Sequence, residues 1–416
     1  MSWLKFGYTP SGSKFALSLA IFTFYSLTGV LRGLSLMGIQ MPIIIVCYIL
    51  LLASCNKPAQ SRIIFITFLL ILFDFFFVFM QDAQRFDSVQ KAIGFNYSIF
   101  VSFFPVLYAA SGNLSKIDRE KFFHFICILV GFTATTTILG TFVYESPCRE
   151  LATPDNVDLD RLYKSHNIGG YGFIYFIVLF APILLKDIIQ KYSIIKLALL
   201  IVCGFCVLRS EYTTALLLFI LGIAIALSIG FKSKTLRLIV VVGIVVLFFS
   251  LQDIFNWASS ALSDTSYMMS KRFEMITDYD YSDSGNAEDD LGIRIVLYMQ
   301  SFKAFISRPL FGNLLASQKG ILGGHSEILD FLGNGGLFGL FLFIMIIRYL
   351  RRNTPLYNIN LSDPYIKTTM IVALIIALIN TFLTPELYFA ILIIPLLVEM
   401  ELKDNVNKKV IKVAIR

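Results

Sequence analysis

The feature that most restricts this chain is the repetition of one length. Nearly uncharged apolar runs recur from one end to the other, at about 15–31, 38–55, 63–80, 92–110, 122–143, 168–185, 194–208, 212–230, 236–252, 328–347, 367–384 and 387–400. A helix needs about 20 such residues to cross the hydrocarbon of a bilayer. Inside lipid, every backbone amide must find an internal partner, so these runs are predicted to be helices. Composition agrees: 57% of the 416 residues are hydrophobic and 15% charged, whereas a soluble domain is about 25% charged. The chain therefore reads as an all-α polytopic membrane protein with about 12 transmembrane helices. The first run starts at Phe15 and is expected to be a retained span rather than a cleaved leader.

Lysine and arginine orient the spans. With the N-terminus inside, 22 of the 35 fall in short cytoplasmic segments, each holding at least two. Of the 13 on the other side, six lie in one long loop, where the positive-inside rule loses force. Both termini are thus predicted to be cytoplasmic. The net charge of +7 follows from this topology, and nothing in it asks for nucleic acid. The division is helices one to nine in 1–252, a large outward loop in 253–327, helices ten to twelve in 328–400, and a tail in 401–416. The six cysteines make no framework, and Cys203-Gly-Phe-Cys206 sits in an apolar run where a core role is the simpler reading.

Two outer segments are too long to be plain connectors. The first, Glu145 to Asn167, carries Arg149, Arg161, Lys164 and His166. In the second, Leu291, Ile295, Tyr298, Phe302 and Phe305 follow helical spacing while Arg294, Gln300 and Ser301 fall elsewhere on the wheel. That pattern predicts an amphipathic helix lying on the outer leaflet and ending at Arg308-Pro309. The acidic stretch from Asp278 to Asp290 lacks the spacing of a calcium loop and reads as solvated chain. No metal or other cofactor is implied.

The polar residues that ask for a role gather at outer helix ends. His325 opens the tenth span, with Ser326, Glu327 and Asp330 in its first turn and Gly323, Gly324, Gly333, Gly335, Gly336 and Gly339 around it. The positive end of a helix dipole disfavours imidazolium, so a histidine with an ordinary pKa of about 6.5 is expected to be neutral here and able to take a proton. Glu327 or Asp330 would orient it or share that task. Set beside this is a plain helix cap by Ser326 and Glu327. The glycines read first as small-residue helix packing. Arg209, Arg272, Arg294 and Arg308 stand on the side that the positive-inside bias depletes, and arginine forks match phosphate oxygens. Arg161, Lys164 and Tyr298 join them as candidate pyrophosphate or glycan contacts, with lipid headgroups as the alternative. Asp74 interrupts the third span and reads as a buried hydrogen bond or a cavity wall shared with Asn96 and Asn380.

Four stretches carry a resemblance. They are Gly323-Gly-His-Ser-Glu-Ile-Leu-Asp-Phe-Leu with Gly335-Gly-Leu-Phe-Gly339; Arg294 followed by Phe302 and Arg308-Pro-Leu-Phe-Gly-Asn313; the Arg209 hairpin; and Asn167-Ile-Gly-Gly-Tyr-Gly-Phe-Ile-Tyr175. With them, the chain resembles the superfamily of O-antigen polymerases and O-antigen ligases, and the first and last stretches look more like a repeat-unit polymerase. The resemblance implies a membrane fold of the GT-C kind in the bacterial cytoplasmic membrane. It implies a donor glycan on undecaprenyl pyrophosphate, a sugar-hydroxyl acceptor, and inverting transfer without a required metal. His325 would be catalytic, and Arg294 and Arg209 would hold the pyrophosphate. Where the family often has Ser-Arg, this chain reads Arg209-Ser210. A chain-length regulator and a flippase are the implied protein partners. A ligase or another lipid-linked glycosyltransferase is the nearest alternative. A polysaccharide transporter is the alternative from another class, although its polar groups would be expected at the midplane.

Overall fold

A computed structural model describes residues 10–33, 40–80, 89–152, 157–230, 235, 260, 290–315, 325–354, 356 and 359–398. Every regular element among them is helical. In chain order these are α1 (Pro10–Leu27), α2 (Val30–Gly33), α3 (Gln40–Ala53), α4 (Lys57–Met80), α5 (Val89–Ser111) and α6 (Arg119–Val143). There follow α7 (Pro147–Glu150), α8 (Val157–Ser165), α9 (Tyr171–Lys191), α10 (Ile194–Arg209) and α11 (Thr213–Gly230). After a segment outside the described residues come α12 (Asp290–Ser307), α13 (Glu327–Asn353), α14 (Pro364–Ile379) and α15 (Pro385–Val398), the last with a π turn over Phe389–Ile393.

Each predicted apolar run except 236–252, which lies outside the described residues, coincides with one of these helices. Three of them, α6, α9 and α13, are long and apolar enough to cross a membrane, and shorter apolar helices pack beside them. The chain is an all-α membrane protein. Its starts are written locally: Asp118, Ser193, Ser326 and Asp363 cap α6, α10, α13 and α14, each accepting from a backbone amide of the first turn. Pro364 follows the last cap at the first helical position, where its missing amide costs nothing.

The core forms around α9. Every residue from Phe173 to Lys186 is buried, as expected of a helix apolar on all sides. It touches α10, α11, α14 and α15, while α1 packs on α3, α4 on α5, α6 on α10 and α12 on α13. Around this core, Ile49, Phe68, Ile128, Ile201, Phe341 and Leu374 point outward and are exposed. A belt of that kind is stable against lipid and not against water. At the end of the bundle where α9 finishes, a buried Lys186–Asp363 pair at 2.6 Å ties it to the start of α14, and Lys196 pairs with Asp187.

Two predicted features gain detail from the structure. The amphipathic helix is present as α12, and two of its polar side chains turn inward. Ser301 is fully buried and donates to Asp330 Oδ1 at 2.6 Å, and Tyr298 donates to the Ile379 carbonyl at 2.6 Å. Ile295, Phe302 and Ile306 are exposed, and Gln300 and Lys303 are exposed with them. The glycines of α13 do more than permit close packing. Gly336 has φ 57° and breaks the helix. A turn from Arg308 to Gly312 enters the break, and the Pro309 and Leu310 carbonyls accept from Leu337 and Phe338 amides at 2.8 and 2.9 Å. A broken helix at membrane depth needs such replacement partners.

Candidate functional site

At the opposite end of the bundle from Lys186, the helix ends enclose a cavity of about 730 Å³. Its wall carries Arg32, Arg149, Lys164 and Arg294, together with His325. Among the described residues, Glu386 is the one carboxylate that lines it. Tyrosines supply much of the remaining wall: Tyr25, Tyr97, Tyr171, Tyr175 and Tyr212.

The arrangement is built from glycines and one asparagine. Asn167, at φ 58°, follows α8 and precedes α9, and asparagine tolerates that left-handed backbone better than most residues. Its Oδ1 accepts from the Gly29 amide at 2.7 Å, and its Nδ2 donates to Thr133 and Thr136 on α6 at 3.1 and 3.0 Å. This draws the end of α1 onto the end of α8. Gly29 and Gly33 then lie against the backbone of Lys164 and Ser165, so close that a Cβ on Gly29 would stand 2.7 Å from the Lys164 carbonyl oxygen. In this way Arg32 and Lys164, from distant parts of the chain, arrive on one wall.

Arg32 donates through Nη2 to Glu386 Oε1 at 2.6 Å and to the Ser26 carbonyl. Burial works most strongly against its charge, and Glu386, Tyr25 and Asp160 together offset it, so its net shift is upward. Glu386 approaches from α15 across the first turn of α9. A Cβ on Gly172 would come 2.6 Å from Glu386 Oε2, so only glycine admits the carboxylate there. Tyr171, Tyr175 and Tyr212 form a cluster with ring centroids 4.5 to 6.1 Å apart. Their hydroxyls are tethered: Tyr171 to the Thr381 carbonyl, Tyr175 to Asn380, and Tyr212 to the Cys148 carbonyl. Cys148 beneath them is pushed up to about 12 by burial, which leaves it a thiol and a poor nucleophile.

Of the residues singled out from sequence, His325, Arg294, Arg149, Lys164 and Asn380 line the cavity. Lys164 is also paired with Asp160 at 2.7 Å. Glu327 and Asp330 stand behind the wall. Glu327 Oε2 accepts from the Phe382 amide at 3.1 Å and Asp330 accepts from Ser301, so both fasten the start of α13 to its neighbours. Tyr298 likewise holds α12 to the end of α14. Arg209 donates to the Thr141 hydroxyl and carbonyl and lies 4.7 Å over the Phe142 ring, away from the lining. Arg308 bonds Asn313, and Arg161 faces Asp158 at 3.9 Å on an exposed helix. Arg272, Gly323 and Gly324 lie outside the described residues, as does the side chain of Asn96. Asp74 is buried, its Oδ1 without a partner among the described residues, and it does not line the cavity; Asn380 does.

The residues missed from sequence are Arg32 and Glu386. Arg32 carried a usable signal, a cation in a short outer loop against the positive-inside bias. Glu386 was visible only as half of a Pro-Glu hinge between two spans. Taken together, the cavity offers fixed cations for an anionic group, a histidine at its wall, and aromatic rings beside one carboxylate. No protein-family model matches this chain, and no curated protein matches its sequence.

Proposed function

We propose that this protein is a polysaccharide repeat-unit polymerase. It moves a growing glycan from undecaprenyl pyrophosphate onto the non-reducing end of a lipid-linked repeat unit at the outer face of the bacterial cytoplasmic membrane. The observation that carries this reading is the meeting of Arg32, Arg149, Lys164, Arg294 and His325 in one cavity at one end of an apolar helical bundle. Outside the cytoplasm there are no nucleotide sugars, so a transferase there needs a donor already activated on lipid. A pyrophosphate leaving group gains charge as its bond to the anomeric carbon breaks, and preset cations stabilise that charge. A neutral His325 would take the acceptor proton.

In this reading the bundle has 12 spans and both termini are cytoplasmic, which puts the cavity outside. The exposed apolar face of α12 rests in the outer leaflet, beside the route by which a lipid tail would reach Arg294. The break at Gly336 is a feature that transporters share, but the cavity's charges sit at helix ends rather than at mid-depth, which favours a transferase.

The test is His325→Ala and Arg294→Ala in cells that make the polymer. Both variants should insert at wild-type levels and leave glycans of a single repeat unit. A normal ladder in either variant removes that residue from the site, and loss of all surface glycan points to a ligase instead. Purified protein with lipid-linked repeat unit, assayed with and without chelator, checks the reaction directly.

A further inference from the structure

Glu386 is the group in the cavity that the reading above leaves without a task. It is 2% exposed, yet it lines the cavity. One oxygen, Oε1, is bound by Arg32. Among the described residues Arg32 is its only hydrogen-bond partner, so Oε2 has acceptor capacity to spare at the wall. Gly172 keeps that oxygen's approach to α9 clear of any side chain. A buried carboxylate is costly unless paired and hydrogen-bonded, and here half of the group is paired.

The geometry points to Glu386 as a sugar-binding residue: Oε2 accepts a hydrogen bond from a glycan hydroxyl, and the neighbouring tyrosine rings lie against the sugar's C–H face. This rests on the polymerase reading and places the glycan within its cavity. Three observations fit together. The carboxylate repels phosphate, so the sugar rather than the pyrophosphate belongs beside it. Tyr171 adjoins Gly172, and Tyr25 lies beside Arg32 with its ring 5.8 Å from the guanidinium carbon. The Tyr171 and Tyr212 hydroxyls are tethered to backbone carbonyls, which fixes their rings as amphipathic surfaces. A carboxylate acceptor flanked by fixed aromatic rings matches a sugar, which has hydroxyl edges and apolar faces.

The experiment compares wild type, Glu386→Gln and the exchange Arg32→Glu with Glu386→Arg, each purified in detergent. Two probes are used: undecaprenyl pyrophosphate, which has no sugar, and lipid-linked repeat unit extracted from cells lacking the protein. Glu386→Gln should bind undecaprenyl pyrophosphate within about twofold of wild type, while kcat/KM for chain extension falls about 10- to 100-fold, the loss typical of one hydrogen bond to a charged group. The exchange variant restores an ion pair, and it should recover thermal stability without recovering extension. Wild-type extension in Glu386→Gln, or recovery of extension by the exchange, overturns the inference and leaves Glu386 a structural anchor. Equal loss of undecaprenyl pyrophosphate binding in Glu386→Gln overturns it as well. If the wild-type protein neither binds undecaprenyl pyrophosphate nor extends the repeat unit, the polymerase reading itself fails.

Discussion

Gly33→Ala tests the contact on which the cavity depends. Gly33 ends α2, directly after Arg32, and lies on the last turn of α8. A Cβ there would stand 2.7 Å from the Lys164 carbonyl carbon and 2.8 Å from Ser165 Cα, and nearer still to the Ser165 amide nitrogen. All three atoms are backbone, so no rotamer change relieves the clash. Ordinary contacts begin near 3.4 Å, which requires α2 to retreat by roughly 0.7–1 Å from α8, a displacement of the size that costs reactive geometry about 100-fold. The Arg32–Glu386 bond at 2.6 Å would stretch toward the limit of a hydrogen bond. Overpacking of this kind costs about 1–3 kcal/mol. The assay is thermal unfolding of purified protein in detergent, read beside glycan chain length in cells. The variant should melt below wild type and shorten the ladder at least tenfold in yield. Gly131→Ala is the control: its Cβ would meet only the flexible Leu199 side chain at 3.3 Å, and alanine within a helix gains about 0.5–1 kcal/mol over glycine. Wild-type melting and a normal ladder in Gly33→Ala would refute the claim that this backbone contact positions Arg32.

Two further variants probe the supports of the site. Asn167→Ala leaves the Gly29 amide without its acceptor and puts alanine at φ 58°. An unsatisfied buried amide costs about 1–3 kcal/mol and the left-handed backbone about 1–2 more, so the level of folded protein in membranes should drop, with Asn167→Gly partly recovering the backbone share. Gly336→Ala combines φ 57° with a Cβ 2.7 Å from the Leu310 carbonyl and the Gly312 amide. It should expel the 308–312 turn, and faster chymotrypsin cleavage after Phe311 would register that change.

The helices were legible because their cause is local. A run of apolar side chains in lipid has one backbone solution, and Asp118, Ser193, Ser326 and Asp363 mark where it starts. His325, Arg294 and Lys164 were legible for a related reason: each is a polar residue at a helix end, and helix ends of one orientation collect at one side. Arg209 and Arg308 share that signature and yet spend their donors on Thr141 and Asn313. Position along the chain says which end of the bundle a side chain occupies, but not which way it faces.

The tertiary structure alone decided the rest. Arg32 and Glu386 are 354 residues apart and meet because Gly29, Gly33 and Gly172 remove the side chains that would hold their helices away. Ser301 and Tyr298 of α12 turn inward because Asp330 and the Ile379 carbonyl await them, although the helix's periodicity by itself fits either side. The break at Gly336 needs the carbonyls of Pro309 and Leu310, which no inspection of α13 in isolation supplies. Hydropathy is summed along a chain and survives in one dimension. Pairing of charges and close approach of backbones depend on which helices become neighbours, and that is settled only when the bundle packs.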